Sequence, residues 1–282
     1  MTDTFPRQYA RTQRLSLGEP RDLTVTPDGS SVVFARSRGG ADPVNCLWTA
    51  DVSSGRQVLV ADPVVLLASI AADDADLPVA ERARRERMRE GAGGITSYAL
   101  SSDASLASFA LGGQLFIADL NAGSARPVAV DGPVFDPRPA PTASADGGLV
   151  AYVSGRALYI TDLEGRARQL AAEPNDPDTV TWGSADFIAA EEMGRHRGFW
   201  WSPAGSMLAV CRSDSSPVQV WHISDPADPA APPSAVRYPA AGTPNADVSL
   251  HLVPTDGGDT VEVGWDRAAL RISPRCSGTT MD

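Results

Sequence analysis

Short runs of alternating apolar and polar residues, separated by tight-turn signals, recur along this chain. Leu23 to Ala35 reads Leu-Thr-Val-Thr-Pro-Asp-Gly-Ser-Ser-Val-Val-Phe-Ala, with Pro27-Asp28-Gly29 between two strand-forming stretches. The pattern returns at Tyr98 to Phe109, at Ala143 to Val153 and at Trp200 to Val210. After each copy comes a further strand-like run: Leu47 to Val52, Gln114 to Leu120, Ala157 to Leu163 and Val218 to Ile223. A period of two places one set of side chains on one face of a sheet, and Asp-Gly supplies the backbone angles of a hairpin. Each copy therefore predicts a four-stranded antiparallel unit.

Such a unit cannot bury both of its faces alone, so copies must stack, and repetition over tens of residues is the mark of a β-propeller. The fold class expected is all-β, an incomplete β-propeller of four-stranded antiparallel blades with one Arg-rich helical insertion. The uneven spacing of the copies places insertions between blades. Leu77 to Glu90 is rich in strong helix formers, opens with Pro78 and runs into Gly91-Ala-Gly-Gly94, which predicts a helix at about 77–91. It carries Arg82, Arg84, Arg85, Arg87 and Arg89. A solvated surface helix laced with i,i+4 pairs and a clamp for a carboxylate or carbonyl both fit that composition. The Pro- and Ala-rich stretch 225–244 reads as an extended connection, and pairing resumes at Val248 to Val253 and Asp259 to Trp265. The domain reading is a partial propeller over 1–270 and an irregular tail over 271–282.

Composition narrows the function classes. Of 282 residues, 24 are basic and 35 acidic, for a formal charge of -11, and every basic residue is Arg. A field of that sign opposes nucleic acid and anionic membrane surfaces, so neither is expected as a partner. Cys46, Cys211 and Cys276 are odd in number and far apart, which excludes a disulfide framework or a Cys-x-x-Cys metal cluster. With His196, His222 and His251 as the only histidines, no metal site and no cofactor are expected. The N-terminus lacks the apolar core of a signal peptide, and the longest apolar run, Pro63 to Ala72, falls short of the roughly 20 residues that span a bilayer. The expected setting is a reducing compartment, the cytoplasm.

The chemistry concentrates between Ala185 and Pro203, where Glu191 and Glu192 separate an apolar run from Arg195, Arg197 and three aromatic residues. Adjacent residues on a strand face opposite ways, so two neighbouring carboxylates converge only on a turn or short helix. A converging pair would receive an ammonium ion; a solvated acidic turn is the plainer alternative.

Glu191-Glu192-Met-Gly-Arg-His-Arg-Gly-Phe-Trp-Trp-Ser-Pro203 resembles the double-Glu motif of the dipeptidyl peptidase IV family, within the prolyl oligopeptidase clan, and most resembles its bacterial and cytosolic 8/9-like branch. Arg85 to Tyr98 resembles that branch's Arg-bearing helix and the strand after it, and the likeness extends to about Asp266. The resemblance implies that Glu191 and Glu192 hold the free N-terminal ammonium of a peptide. It implies that Arg89 contacts the first carbonyl, with Arg85 and Arg87 as neighbouring candidates. In the family, these anchors restrict cleavage to N-terminal dipeptides, usually after Pro or Ala.

The sequence departs from that family in one respect. The full enzymes carry a hydrolase domain with a Gly-x-Ser-x-Gly elbow, and this chain contains no such motif. Ser202 and Ser206 flank hairpin turns with no base in a recognisable arrangement. No catalytic residue is therefore assigned, and divergence after Asp266 suggests a truncated or frameshifted product. The expected function is that of a substrate-anchoring propeller fragment, inactive in hydrolysis alone, whose partner is a peptide with a free N-terminal amine. A stand-alone propeller binding peptides or proteins without catalysis, and a remnant without function, are the alternatives. Open blade edges add self-association as a further expectation.

Overall fold

The computed structural model describes residues 4–68, 93–175, 177–224, 226, 230 and 232–267. The helix predicted at about 77–91, with Arg85, Arg87 and Arg89, and the tail at 271–282 lie outside the described residues. Strands are the dominant regular structure among the described residues. A short helix α1 (Phe5–Arg11) precedes the first sheet, which runs β1 (Arg21–Val25), β2 (Ser31–Ser37), β3 (Val44–Asp51) and β4 (Gln57–Ala61) in order. Helix α2 (Pro63–Ala68) follows, and the two-residue β5 (Gly93–Gly94) pairs parallel with β3. The second sheet is β6 (Ala99–Leu100), β7 (Leu106–Leu111), β8 (Gln114–Asp119) and β9 (Ser124–Val128). The third is β10 (Phe135–Pro139), β11 (Leu149–Ser154), β12 (Ala157–Asp162) and β13 (Ala167–Ala171). This succession of four-stranded antiparallel sheets is the blade pattern of a β-propeller, with strands pairing in chain order.

Turn chemistry explains the repeat. In the first copy, the Thr26 hydroxyl donates to Asp28 Oδ1 at 2.6 Å, the Ser30 N–H donates to the same oxygen at 3.1 Å, and Gly29 takes φ +70°. The second copy repeats it, with Ser101 and the Ser105 N–H on Asp103 Oδ1 at 2.7 and 3.0 Å. Hydrogen bonds from Thr26 and Ser30 hold the Asp28 carboxyl down at about 2. The first strands of sheets one and three each slip register once, between Arg21 and Thr24 and between Phe135 and Arg138. An aspartate in left-handed backbone sits in each slip, Asp22 at φ +51° and Asp136 at φ +46°. A bulge of this kind bends an edge away from unwanted pairing.

The chain divides into two compact units, residues 1–155 with 159–168, and 156–158 with 169–282. In the first unit, Val33, Leu47 and Ala61 of sheet one meet Ala107, Phe109, Phe116 and Ala118 of sheet two in one buried cluster. Phe109 and Phe116 are cross-strand partners, stacked with centroids 5.5 Å apart. The middle strands β7 and β8 are buried on both faces, so they read as near-continuous apolar runs. The outer strand β9 is largely exposed and carries Arg126 and Pro127, residues that suit an edge.

The second unit is built on β16 (Met207–Asp214) and β19 (Asp247–Pro254), which pair along their full length. The short β20 (Val261–Glu262) pairs with β19. On the other side of β16 lie β14 (Val180–Trp182) and β15 (Phe199–Trp201), end to end along the same edge. Two expectations change here. Val218 to Ile223 is not the next strand of this sheet: β17 (Val220–Ile223) pairs instead with β18 (Ser234–Arg237) as a separate two-stranded ribbon. The connection expected over 225–244 therefore contains a strand. Its Pro- and Ala-rich flanks conceal a four-residue run whose pairing is set by β17, not by its own composition.

Candidate functional site

β14 and β15 act as one edge strand interrupted by residues 183–198, and this insertion carries the paired glutamates. Within it, helix α3 (Phe187–Glu191) starts at Asp186, which is extended at φ -68°, ψ 167° and accepts the Ala189 N–H at 3.1 Å. That is the N-cap geometry that satisfies one orphan donor of a helix start. Ala189 and Ala190 form the buried side, while Glu191, Glu192, Met193 and Gly194 are exposed. Glu191 is the last helical residue and Glu192 the C-cap. Gly194 then turns the chain at φ +60°, and the Arg195 N–H donates back to Ala189 O at 2.9 Å. The two carboxylates thus sit on consecutive residues of one tight helical end, in water, where a cation can reach them.

The return of the loop is held from beneath. Arg195 is 7% exposed at its side chain and pairs through Nη2 with Asp186 Oδ2 at 3.3 Å. Its Nη1 donates to Arg197 O at 2.7 Å and lies 3.8 Å from Cys211 Sγ, while Nε is buried without a partner. The Arg195 and Arg197 guanidinium groups both lie on the Trp200 ring, at 5.7 and 5.6 Å from its centroid. Such contacts stabilise a cation on an aromatic face. Ser184 and Arg197 form an isolated bridge, and Gly183 and Gly198 both bond to the Cys211 backbone, at 2.9 and 2.8 Å. On the other side of α3, Phe187 meets Tyr238 edge-on at 5.3 Å. A cleft of about 170 Å³ opens there, lined by Asp178, Thr179, Asp186, Phe187, Ser213 and Arg237, among others.

The serines considered in the sequence have structural partners. Ser202 Oγ accepts the Met207 N–H at 3.1 Å, closing a turn, and the Ser206 backbone carbonyl accepts the Thr255 N–H at 2.9 Å, extending the β16–β19 pairing. The sequence reading missed a Ser–His contact, Ser249 Oγ to His251 Nε2 at 2.9 Å. Their i,i+2 spacing on β19 was the available signal. His251 also packs on Trp182 at 4.7 Å, and burial lowers its pKa from the usual imidazole value. Ser249 is 4% exposed and His251 half-buried, so the pair packs into the sheet. Nearby, Arg212 grips Glu173 with two bonds of 2.8 Å, and these lower the Glu173 pKa. Arg89 lies outside the described residues. Among the described residues, no group of three or more His, Cys, Asp or Glu could hold a metal. No helix among them is long and apolar enough to cross a membrane.

Blade-like sheets with an acidic, loop-borne helical end define a propeller-type protein whose exposed chemistry sits on an insertion in one blade edge. Residues 102–272 match the family model of the dipeptidyl peptidase IV (DPP IV) N-terminal region, and the chain belongs to that family. Dipeptidyl peptidase 8 of Mus musculus is 27% identical over 135 residues, 42% of this chain and 15% of that protein. Dipeptidyl aminopeptidase B of Saccharomyces cerevisiae is 27% identical over 145 residues, 49% of this chain and 16% of that protein. The crystal structure of Porphyromonas gingivalis dipeptidyl peptidase 4 shares the fold at TM-score 0.59 and 22% identity, over 86% of this chain and 32% of that one. The matched stretch is thus a small fraction of each relative's length.

Proposed function

We propose that this chain is a substrate-anchoring propeller segment of a dipeptidyl peptidase IV-like serine peptidase. Glu191 and Glu192 receive the N-terminal ammonium of a peptide, and Arg89 meets its first carbonyl. The observation that carries this reading is the exposed Glu pair at the end of α3, inside the matched family region. An ammonium held by two carboxylates is fixed in position, which orients the peptide without making or breaking a bond. The bond chemistry, release of dipeptides after Pro or Ala, belongs to a nucleophile, base and oxyanion hole that this sequence does not supply through a Gly-x-Ser-x-Gly elbow. A cytoplasmic setting is proposed with it, in keeping with Cys46 and Cys211 as buried thiols outside any disulfide.

Calorimetric titration tests the anchor. The chain should bind Ala-Pro-amide at least about ten-fold more tightly than its N-acetylated form, the weight of a charge-assisted hydrogen bond. Glu191→Ala/Glu192→Ala should erase that preference. Equal binding of both peptides to the unaltered chain refutes the site. Turnover of a chromogenic dipeptide by the chain alone would refute the anchoring-only role.

A further inference from the structure

We propose that Arg195, acting through Asp186, is the positioning residue that fixes the Glu191–Glu192 end of α3; its functional part rests on the ammonium-anchor reading above.

Asp186 works in two directions. Oδ1 accepts the Ala189 N–H and starts the helix, while Oδ2 accepts from Arg195 Nη2. Arg195 stands on the far side of the glutamates, and its own N–H returns to Ala189 O. The residues before and after the Glu pair are therefore tied to each other and to the same helical turn. Both charged side chains are more than nine-tenths buried, at 7% and 9% exposure. A five-residue helix has too few internal bonds to hold its shape alone, so the order of its exposed end comes from this closure. Arg195 also bonds Arg197 O and approaches Cys211, which ties the closed loop to β16. A guanidinium suits this place because its fork reaches the carboxylate and the carbonyl together; a lysine ammonium is a point charge on a flexible stem. A buried charge left without its partner is strongly unfavourable, so the pair has one stable arrangement, and the glutamates inherit it.

Two conservative variants of the full chain test this. Asp186→Asn retains an acceptor for the Ala189 N–H but loses the charge; Arg195→Lys retains the charge but loses the fork. Hydrogen exchange is read on residues 188–195 and, separately, on β16 and β19. The preference for Ala-Pro-amide over its N-acetylated form is measured alongside. Both variants should exchange about ten-fold faster over 188–195 with β16 and β19 unchanged, and the amine preference should fall about ten-fold. Wild-type exchange over 188–195 in either variant overturns the proposal. So does loss of protection in β16 and β19 together with the loop, because the pair would then support the whole sheet. An unaltered preference beside a loosened loop overturns the positioning role. If the unaltered chain shows no amine preference, the anchor reading fails, and the exchange data still decide whether Arg195 holds the loop.

Discussion

Gly198 lies where three stretches of backbone cross, and adding a single methyl group there should damage the second unit. A Cβ built on Gly198 comes within 2.4 Å of the Gly183 and Ser184 carbonyl carbons and 2.5 Å of Gly183 O. All three are main-chain atoms, so no side chain can swing aside. Relief to ordinary contact needs a shift of about 1 Å, which dispersion cannot recover in a packed interior. That shift pulls on two bonds that close the crossing, Cys211 N–H to Gly198 O at 2.8 Å and Gly183 N–H to Cys211 O at 2.9 Å. Overpacking costs about 1–3 kcal/mol, and a buried group left unpaired costs about 1–3 kcal/mol more, so Gly198→Ala should lose about 2–6 kcal/mol. Gly264→Ala is the control within the same unit, since nothing lies within 4 Å of its Cβ and its backbone is not left-handed. It should stay within about 1 kcal/mol of the unaltered chain, on the stabilising side. Urea unfolding followed by tryptophan fluorescence reads the right unit, because every tryptophan except Trp48 belongs to the second one. A loss below about 1 kcal/mol for Gly198→Ala, with a normal m-value, would refute the steric reasoning.

The turn aspartates predict an acid dependence. The Asp28 and Asp51 pKa values are lowered from 3.8 to about 2 by neighbouring hydroxyl and N–H donors, so their stabilisation is complete above pH 3.8 and fades as pH falls through 2. Carboxylate NMR titration should place both midpoints near 2, and Asp28→Asn should flatten the dependence of stability on pH in that window; midpoints near 3.8 would contradict the turn geometry. The Cys46 thiol is pushed up to about 11 by burial, with the Asp62 charge adding to it, and Cys211 is also buried. Neither should react with a thiol reagent at pH 8 before unfolding, and both should react in urea; mass-mapped labelling of either in the native chain would contradict the packing.

The repeat was legible because its cause is local. Asp28 and Asp103 organise their own turns through hydroxyls and N–H groups within a few residues, and alternation in the flanking strands needs no distant partner. Partner choice is not local. Val218 to Ile223 reads as a strand just as Gln114 to Leu120 does, yet β8 joins β7 whereas β17 leaves its sheet and β16 pairs with β19. The glutamates stood out as neighbouring carboxylates beside a basic and aromatic run, but Asp186 and Arg195, nine residues apart, showed no periodic relation. Their pairing follows from a turn at Gly194 that brings two charges to one buried spot. The bulges at Asp22 and Asp136 were hidden likewise, because left-handed aspartate has no fixed companion in sequence.

The split edge strand has a consequence for how such a fold can change. β14 and β15 each make their own ladder with β16, so the sheet needs its two half-strands and the Gly183–Gly198 crossing between them, and places little demand on what lies within that crossing. Doubling the length of a flexible connection raises its closure entropy by only about 0.6 kcal/mol. The stretch inside that crossing, residues 185–196, is therefore a grafting point: lengthening, shortening or exchanging it alters what the blade presents while leaving the register of β16 and β19 intact. A loop mounted this way can be replaced without redesigning the scaffold beneath it.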